Sequence, residues 1–336
     1  MPTSGKSPTM KDVAREAGVS LGTVSNVFNG AHVGREYRQR VEEAARRLGY
    51  AVNSYARGLR ADRTNTVAVI LPGLEHMFFA RLANALCREL TLRGYRMQFV
   101  TTEYSPEAES ACIQAVRQNM VDGIIGLTYS TGMPDVEGIP YVSIDRVISP
   151  SIPCVSSDNY GGGVLAAQTL LELGCRRPLF LRIGSHIMGE TDKRGSGFLA
   201  ECANQNVECT VRRFLDEDGP AQVVRLLDEQ FLSGPPAYDG VFCSTDMLAV
   251  SVVRYLSRRG VRVPEDVQVI GYDGTREFFS GRYVCSTIVQ PVQQMAEASV
   301  EIVTRWSEAG TPALISIPGF FVPGGTTRDG GTANGQ

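Results

Sequence analysis

Three groups of residues have types and spacings that can do chemistry. The first is the run Thr9 to Asn29, TMKDVAREAGVSLGTVSNVFN, which sits in the basic end of the chain. Met1 to Arg63 carry 11 Lys+Arg against 6 Asp+Glu, whereas the remaining residues carry 22 against 30. A positive segment on a chain of net charge −3 invites a polyanion partner, although a solvated surface has the same signature. The second group comprises the metal-binding and redox residue types. The eight cysteines (87, 112, 154, 175, 202, 209, 243, 285) form no CxxC pair, and His32, His76 and His186 lie far apart. Neither a zinc module nor a metal cluster is expected from such spacing, and the cysteines read as small core residues in a reducing compartment. The third is the run Gly161 to Gly163, since glycines before a helix can cradle phosphate. It is not GxGxxG and does not follow the first strand of a βαβ unit, so no dinucleotide site and no cofactor is expected. P-loop and HExxH signatures are also missing, which points away from an enzyme.

The elements around the first group turn charge into a motif. Thr9, followed three residues later by Asp12, is a capping-box start for a helix on which Val13, Ala14 and Ala17 repeat at helical spacing. Gly18 supplies a turn, Ser20 can cap a second helix, and Val24, Val27 and Phe28 continue the apolar face. Two helices crossing closely need a small residue at the contact, which Ala14 provides; the pattern is a helix-turn-helix. A third helix is predicted over Arg35 to Leu48, with Val41, Ala44, Ala45 and Leu48 inward and Glu42/Arg46 and Glu43/Arg47 pairs outside. Gly49 ends it, and the polar, basic YAVNSYARGLRADRTN that follows reads as a linker.

From Thr66 onward short apolar runs alternate with longer amphipathic stretches. Strands are predicted at Val67 to Leu71, Met97 to Thr101, Gly123 to Leu127, Tyr141 to Ile144, Leu179 to Ile183, Gly240 to Cys243 and Val267 to Tyr272. Helical patterns fall at Phe78 to Arg93, Pro106 to Asn119, Gly162 to Leu173, Asp246 to Arg259 and Val292 to Ala309. This alternation predicts doubly wound α/β structure, long enough for two lobes. With 336 residues and 43% hydrophobic side chains, two or three folded domains are expected. No apolar run approaches the length of a membrane span, and the N-terminal MPTSGKSPTMKD lacks the apolar stretch of a secretory signal; a cytoplasmic protein is expected. Residues 1–8 and the Gly- and Thr-rich residues 324–336 read as frayed tails.

The runs DVAREAGVSLGTVSNVFNG, VEEAARRLGY and NSYARGLRADRTNTVAVILP, in this order and spacing, closely resemble the lactose-repressor (LacI/GalR) family of bacterial transcription regulators, and a looser resemblance extends along nearly the whole chain. It implies an N-terminal all-α helix-turn-helix domain over residues 9–50, and a hinge helix and linker over 51–64. Over 65–323 it implies an α/β effector-binding and dimerisation domain of two Rossmann-like lobes, akin to periplasmic binding proteins. The helix beginning at Ser20 then lies in the major groove. Leu21, Gly22 and Asn26 fall at base-reading positions and Thr23 and Ser25 at phosphate-contacting ones, with Thr9, Asn29 and His32 bordering the same surface. Asn26 suits adenine and Leu21 a thymine methyl, whereas Gly22 donates nothing. In the hinge, Asn53, Ala56, Arg57 and Leu59 match a segment that folds in the minor groove. Leu59 matches the leucine wedged between base pairs by each of two subunits, and Arg57 and Arg60 supply phosphate or groove contacts. Two departures, Val52 where proline is common and Gly58 inside the hinge helix, should loosen that helix without DNA.

For the cleft between the lobes, the resemblance assigns the aromatic pair Phe78 and Phe79 (in EHMFF, without the usual Asn-Pro), Arg194 of RGSGF, Asp273 of VIGYDG, and Asp246 of CSTDMLA, where Thr245 replaces a common asparagine. Phe78 and Phe79 equally suit a core, and Arg194 and Asp273 equally suit a structural ion pair. Asp158 with Asn159, Asp145 with Arg146, and Gln290 form a second tier that caps helices or braces lobes as readily as it touches ligand. The resulting expectation is a homodimeric, DNA-binding regulator, most simply a repressor, acting on a near-palindromic operator under control of a sugar-like small molecule, with no membrane association. The alternatives are the same regulator controlled by a partner protein, or a solute-binding protein or sugar enzyme of the same lobe architecture; the helix-turn-helix opposes the latter.

Overall fold

The computed structural model describes residues 8–28, 31–50, 64–103, 105–118, 120–128, 136, 138–185, 187–306 and 313–328. The chain forms two compact units, Met1–Thr64 and Asn65–Gln336.

The first unit holds α1 (Met10–Ala17), α2 (Leu21–Phe28) and α3 (Arg35–Leu48). Thr9 and Asp12 cap α1 reciprocally: Thr9 N–H donates to Asp12 Oδ2 at 2.9 Å, and the Asp12 amide donates to Thr9 Oγ1 at 3.4 Å. Gly18 ends α1 in the left-handed region at φ 61°, and a Cβ there would stand 2.8 Å from the Arg40 guanidinium, whose Nη2 donates to the Gly18 carbonyl at 3.4 Å. Val13, Ala14, Ala17, Val24, Val27, Val41, Ala44 and Ala45 form one buried core, and Phe28 closes on Tyr50 with ring centroids 5.6 Å apart. Asn29 and the hinge residues Asn53, Ala56, Arg57, Leu59 and Arg60 lie outside the described residues.

The second unit contains two six-stranded sheets. Lobe 1 is built on β1 (Thr66–Leu71), β2 (Arg96–Thr101), β3 (Gly123–Gly126), β4 (Tyr141–Ile144), β5 (Cys154–Ser157) and β11 (Leu314–Ile317), in the order β11-β5-β4-β3-β1-β2, all parallel. Lobe 2 is built on β6 (Pro178–Gly184), β7 (Thr210–Leu215), β8 (Gly240–Cys243), β9 (Gln268–Asp273), β10 (Ser286–Val289) and β12 (Phe320–Val322), in the order β12-β10-β9-β8-β6-β7, with β12 antiparallel to β10. Helices α4 (Met77–Leu92), α5 (Pro106–Arg117), α6 (Asn159–Glu172), α7 (Lys193–Asn204), α8 (Gly219–Leu227), α9 (Asp246–Ser257) and α10 (Val292–Thr304) cover the sheets. Strands buried along their whole length, such as β1, β3, β8 and β9, need apolar residues on both faces, which is why they read as continuous runs. The chain crosses between lobes after β5, after β10 and after β11.

Strands β5, β7 and β10 to β12 and helices α7 and α8 were not predicted. The short β5 reads CVSS, half polar, and the edge strand β7 carries Arg212 and Arg213. In α7, Gly195 and Gly197 disguise a helix whose packing requires them. A Cβ on Gly197 would collide with the Tyr160 carbonyl of α6, and one on Gly163 with the Arg194 carbonyl of α7. The glycine run is thus a backbone-to-backbone helix contact, not a phosphate cradle.

One expectation needs correction. Residues 324–328 are not a frayed tail but a strap on lobe 2. Thr326 Oγ1 donates to the Val269 carbonyl at 2.7 Å and accepts from the Ser286 amide at 2.8 Å, Thr327 and Ser286 hydroxyls meet at 2.7 Å, and the Arg328 amide donates to Gln268 Oε1 at 2.9 Å. Thr326 and Thr327 are buried, so the hydroxyls that made the segment look polar are spent inside the fold.

Candidate functional site

In the helical unit, α2 presents Leu21, Gly22 and Asn26 to solvent while Val24 and Val27 face the core. Ser20 Oγ accepts from the Thr23 amide at 3.0 Å and lies 2.9 Å from Thr23 Oγ1, so the hydroxyl pair fixes the start of α2. Ser25 is half-buried and His32 exposed. The Arg38 guanidinium donates to the Ala31 carbonyl at 3.1 Å, tying the α2–α3 connection down. The exposed face of α2 therefore carries an aliphatic side chain, Leu21, and an amide, Asn26, with Gly22 adding no side chain.

In the second unit, both lobes have strand orders of the 2-1-3-4-5 type, and ligands in such sheets bind outside the carboxyl ends of the strands. A cleft of about 190 Å³ lies there, with Phe78, Phe79, Leu127 and Asp145 from lobe 1 and Arg182, Ser185, Arg194, Ser244, Thr245, Asp273 and Gln290 among the residues lining it. His76 begins α4: its Nδ1 accepts from the Phe78 amide at 3.3 Å, which leaves the proton of a neutral ring on Nε2. Burial first, and the Arg194 guanidinium second, hold His76 below the ordinary imidazole range, opposed by Asp246; the Asp273 carboxylate stands 3.7 Å from Nε2. The His76 and Phe79 rings stand 5.4 Å apart, and Phe79 tilts on Phe78 at 5.7 Å.

Asp273 ends β9. Its Oδ1 accepts from Gln290 Nε2 at 2.7 Å, whereas Oδ2, on a residue only 2% exposed, has no hydrogen-bond partner among the described residues. Its φ of 123° is one that residues other than glycine avoid at a cost of about 1–3 kcal/mol. Burial pushes the Asp273 carboxyl above the usual aspartate range, opposed by Arg194. Arg194, 4% exposed in the first turn of α7, donates from Nε to Asn159 Oδ1 at 2.7 Å and from Nη1 to the Ser244 carbonyl at 2.5 Å, with its guanidinium 3.6 Å above the Tyr272 ring. It forms no ion pair with Asp273; its fork is engaged by neutral partners instead. Thr245 caps α9 by accepting from the Leu248 amide at 3.2 Å while lining the cleft.

Four expected effector residues are not brought to the cleft, among them Asn159, which is buried and accepts from Arg194 Nε at 2.7 Å. Asp246 is fully buried behind it, held by the Thr275 amide at 2.6 Å, Thr287 Oγ1 at 2.6 Å and Cys285 Sγ at 3.4 Å, so it braces lobe 2. Burial, then the neighbouring Asp273, raise its pKa. Asp158 caps α6 through the Gly161 amide at 2.8 Å, and Arg146 donates to the Thr128 carbonyl at 3.1 Å inside lobe 1. A carboxylate at a helix start and an arginine within reach of a buried carbonyl satisfy local backbone first, which spacing does not distinguish from ligand binding.

Three contributors, Arg182, His76 and Arg81, escaped sequence reasoning, while Asp145, expected in the second tier, does line the cleft. Arg182, inside β6, is gripped by Asp192 through Nε at 2.9 Å and Nη2 at 3.1 Å. Asp145 hangs from the end of β4, accepting from Ser156 Oγ at 2.7 Å, and burial raises its pKa. His76 was weighed only as a metal ligand. Arg81 on α4 donates across the cleft to the carbonyls of Asp273 at 2.7 Å and Gly274 at 2.9 Å. A charged residue interrupting a buried strand, as Arg182 does, was the one visible signal. Among the described residues no group of His, Cys, Asp and Glu could hold a metal ion, and no helix is long and apolar enough to cross a membrane.

A helix-turn-helix unit joined in one chain to a two-lobed α/β unit with a ligand-sized cleft defines a DNA-binding regulator of the effector-responsive class. Residues 9–53 match the bacterial regulatory proteins of the lacI family, and residues 167–327 match the periplasmic binding protein-like domain. The chain is 34% identical to the ribose operon repressor of Bacillus subtilis over 95% of its own length and 98% of that protein. It is 32% identical to the sucrose operon repressor of Pediococcus pentosaceus over 92% and 95%. The crystal structure of the lac repressor dimer bound to operator and the anti-inducer ONPF shares the fold, with a TM-score of 0.81 at 22% identity over 96% of this chain and all of that one. The chain belongs to the lacI family of bacterial regulatory proteins, and it is a DNA-binding transcriptional regulator.

Proposed function

We propose that this regulator is a cytoplasmic repressor that binds a near-palindromic operator as a homodimer and responds to a neutral sugar, or sugar derivative, held between the lobes of its second unit. The observation that carries the effector reading is Asp273. A buried carboxylate oxygen without a partner costs free energy in the empty protein, and a strained backbone at the same residue adds to that cost. A ligand hydroxyl donating to Oδ2 and accepting from His76 Nε2 fills the 3.7 Å gap between them, with its ring on Phe79. The names of the two operon repressors above concern sugars, which favours the same class.

On the DNA side, Leu21 and Asn26 read base edges, Thr23 and Ser25 meet phosphates, and the segment containing Asn53, Ala56, Arg57, Leu59 and Arg60 folds in the minor groove with Leu59 as wedge. Arg81 bridges lobe 1 to the Asp273 and Gly274 carbonyls, so ligand at Asp273 acts on a contact between the lobes.

The test is a thermal-shift panel of sugars, sugar acids, sugar phosphates and nucleosides on the full chain, repeated on Asp273→Asn. A cleft ligand at about 100 times its Kd stabilises the parent by roughly 2.7 kcal/mol. Asp273→Asn, isosteric but without the charged acceptor, should lose most of that response. A flat panel removes the small-molecule reading and leaves control by a partner protein.

A further inference from the structure

We propose that the effector cleft continues past His76 and Phe79 into an outer subsite that takes the second glycosyl unit of a neutral disaccharide; this inference rests on the sugar reading above. The inner cleft, at about 190 Å³, falls below the roughly 300–1,000 Å³ of sites that enclose larger ligands. Its outer wall is formed by the His76 and Phe79 rings, and the far side of those rings lines a second, open groove of about 610 Å³. The two spaces thus abut at His76 and Phe79.

The chemistry of the groove selects its occupant. Leu74 and Met247 offer exposed aliphatic surface beside Phe79, suited to the C–H face of a pyranose or furanose ring. Glu75 and Glu103 offer carboxylates and Thr101 a hydroxyl, suited to its hydroxyl edge. Among the described residues no lysine or arginine lines the groove, so a phosphate or carboxylate on the outer unit meets repulsion. An alkyl or aryl group would cover the carboxylates without giving them hydrogen bonds. A neutral polyhydroxylated ring is the class that meets both demands.

The floor is built rather than incidental. The Thr102 amide donates to the Leu71 carbonyl at 3.1 Å and the Glu103 amide to the Pro72 carbonyl at 3.0 Å, locking together the chain ends that leave β1 and β2. Met247, from the first turn of α9, brings lobe 2 to the same groove. A ligand spanning both spaces therefore touches both lobes twice.

The experiment measures affinity by calorimetry and melting for glucose, fructose, galactose and ribose against sucrose, maltose, cellobiose, lactose and trehalose. It is run on the parent, on Gly73→Trp and on Leu74→Ala. Gly73 lines the groove and not the inner cleft, and a Cβ built there meets no atom within 4 Å, so the position accepts a side chain and a tryptophan there should occupy groove space. The expected result is one disaccharide binding at least about tenfold more tightly than its component monosaccharides. Gly73→Trp should erase that advantage and Leu74→Ala reduce it, while monosaccharide binding persists in both. A monosaccharide response with no disaccharide advantage, or an advantage untouched by Gly73→Trp, overturns the outer subsite alone. A parent protein that no sugar in the panel stabilises overturns the sugar reading and the subsite with it.

Discussion

Replacing Arg194 by alanine separates a ligand-contacting role from an architectural one. The guanidinium makes two charge-assisted hydrogen bonds, to Asn159 Oδ1 and the Ser244 carbonyl, and covers the Tyr272 ring. Bonds to a charged group contribute about 1.5–3 kcal/mol each, and the cation over the ring about 0.5–2 kcal/mol. Solvation of the arginine in the unfolded chain offsets part of this sum. Removing the guanidinium leaves two neutral groups buried without hydrogen bonds, at about 1–3 kcal/mol each. Arg194→Ala should therefore lower the unfolding free energy of the second unit by about 2–6 kcal/mol at unchanged m-value, before any ligand is added. Urea unfolding followed by circular dichroism measures it. Arg194→Lys keeps the charge but not the fork, and should recover only a minority of the loss. A decrease below about 1 kcal/mol in the alanine variant would refute the architectural role and make Arg194 chiefly a ligand group.

Three further perturbations follow from the same geometry. Gly163→Ala places a methyl against the Arg194 carbonyl of α7, so α6 and α7 must separate; a loss of at least about 1–3 kcal/mol is expected in urea, and wild-type stability would mean the helices are not in backbone contact. Truncation after Pro323 removes the hydrogen bonds of Gly324, Thr326, Thr327 and Arg328 to lobe 2 and should cost on the order of 3 kcal/mol after the ordering entropy of the strap is offset, read as a lower melting temperature. For pH, burial raises Asp273 and Asp246 in the fold, so the folded state binds more protons than the unfolded one. The stability they lend is complete below the usual aspartate range and is lost as pH rises through the raised values. The unliganded protein should thus lose stability from these groups between about pH 4 and about pH 7, and sugar affinity should fall as pH is lowered through about 6 because the ligand hydroxyl needs the ionised Asp273. Calorimetry on the parent and Asp273→Asn checks both signs; equal slopes in the two proteins would remove Asp273 as the titrating group.

What was legible in the sequence tracked how local its physical cause is. The Thr9–Asp12 cap, the Gly18 turn and the small Ala14 act within one or two turns of chain, so the helix-turn-helix could be read directly. The same holds for fully buried strands such as β1 and β9. Strand β7 was hidden because an edge position lets Arg212 and Arg213 face water, and α7 because glycines needed for contact with α6 look like breakers. At the cleft, Phe79, Arg194, Thr245, Asp273 and Gln290 were found from motif positions. Arg81 was not, since the carbonyls it holds lie 192 and 193 residues away. Asp246 was placed in the cleft although it turns inward, because a carboxylate in the first turn of a helix has the same spacing whether it meets a ligand or Thr287.

The three crossings between lobes bear on how the protein is made. Lobe 1 pairs β5 with β11 and packs α10 on its core, so part of its hydrophobic cover arrives only after all of lobe 2 except β12 and the strap has been synthesised. While the ribosome is still translating lobe 2, β5 is an open sheet edge and the apolar surface that Met295, Ala296 and Val300 later cover is wet. Lobe 2 in turn waits for the last residues, since β12 and Thr326 close β10. Neither lobe can mature as the nascent chain emerges, and both are completed almost together by the final stretch of translation. The growing polypeptide is therefore most exposed to aggregation and proteolysis late in synthesis, and a stop codon shortly before Leu314 leaves two unfinished lobes rather than one good one.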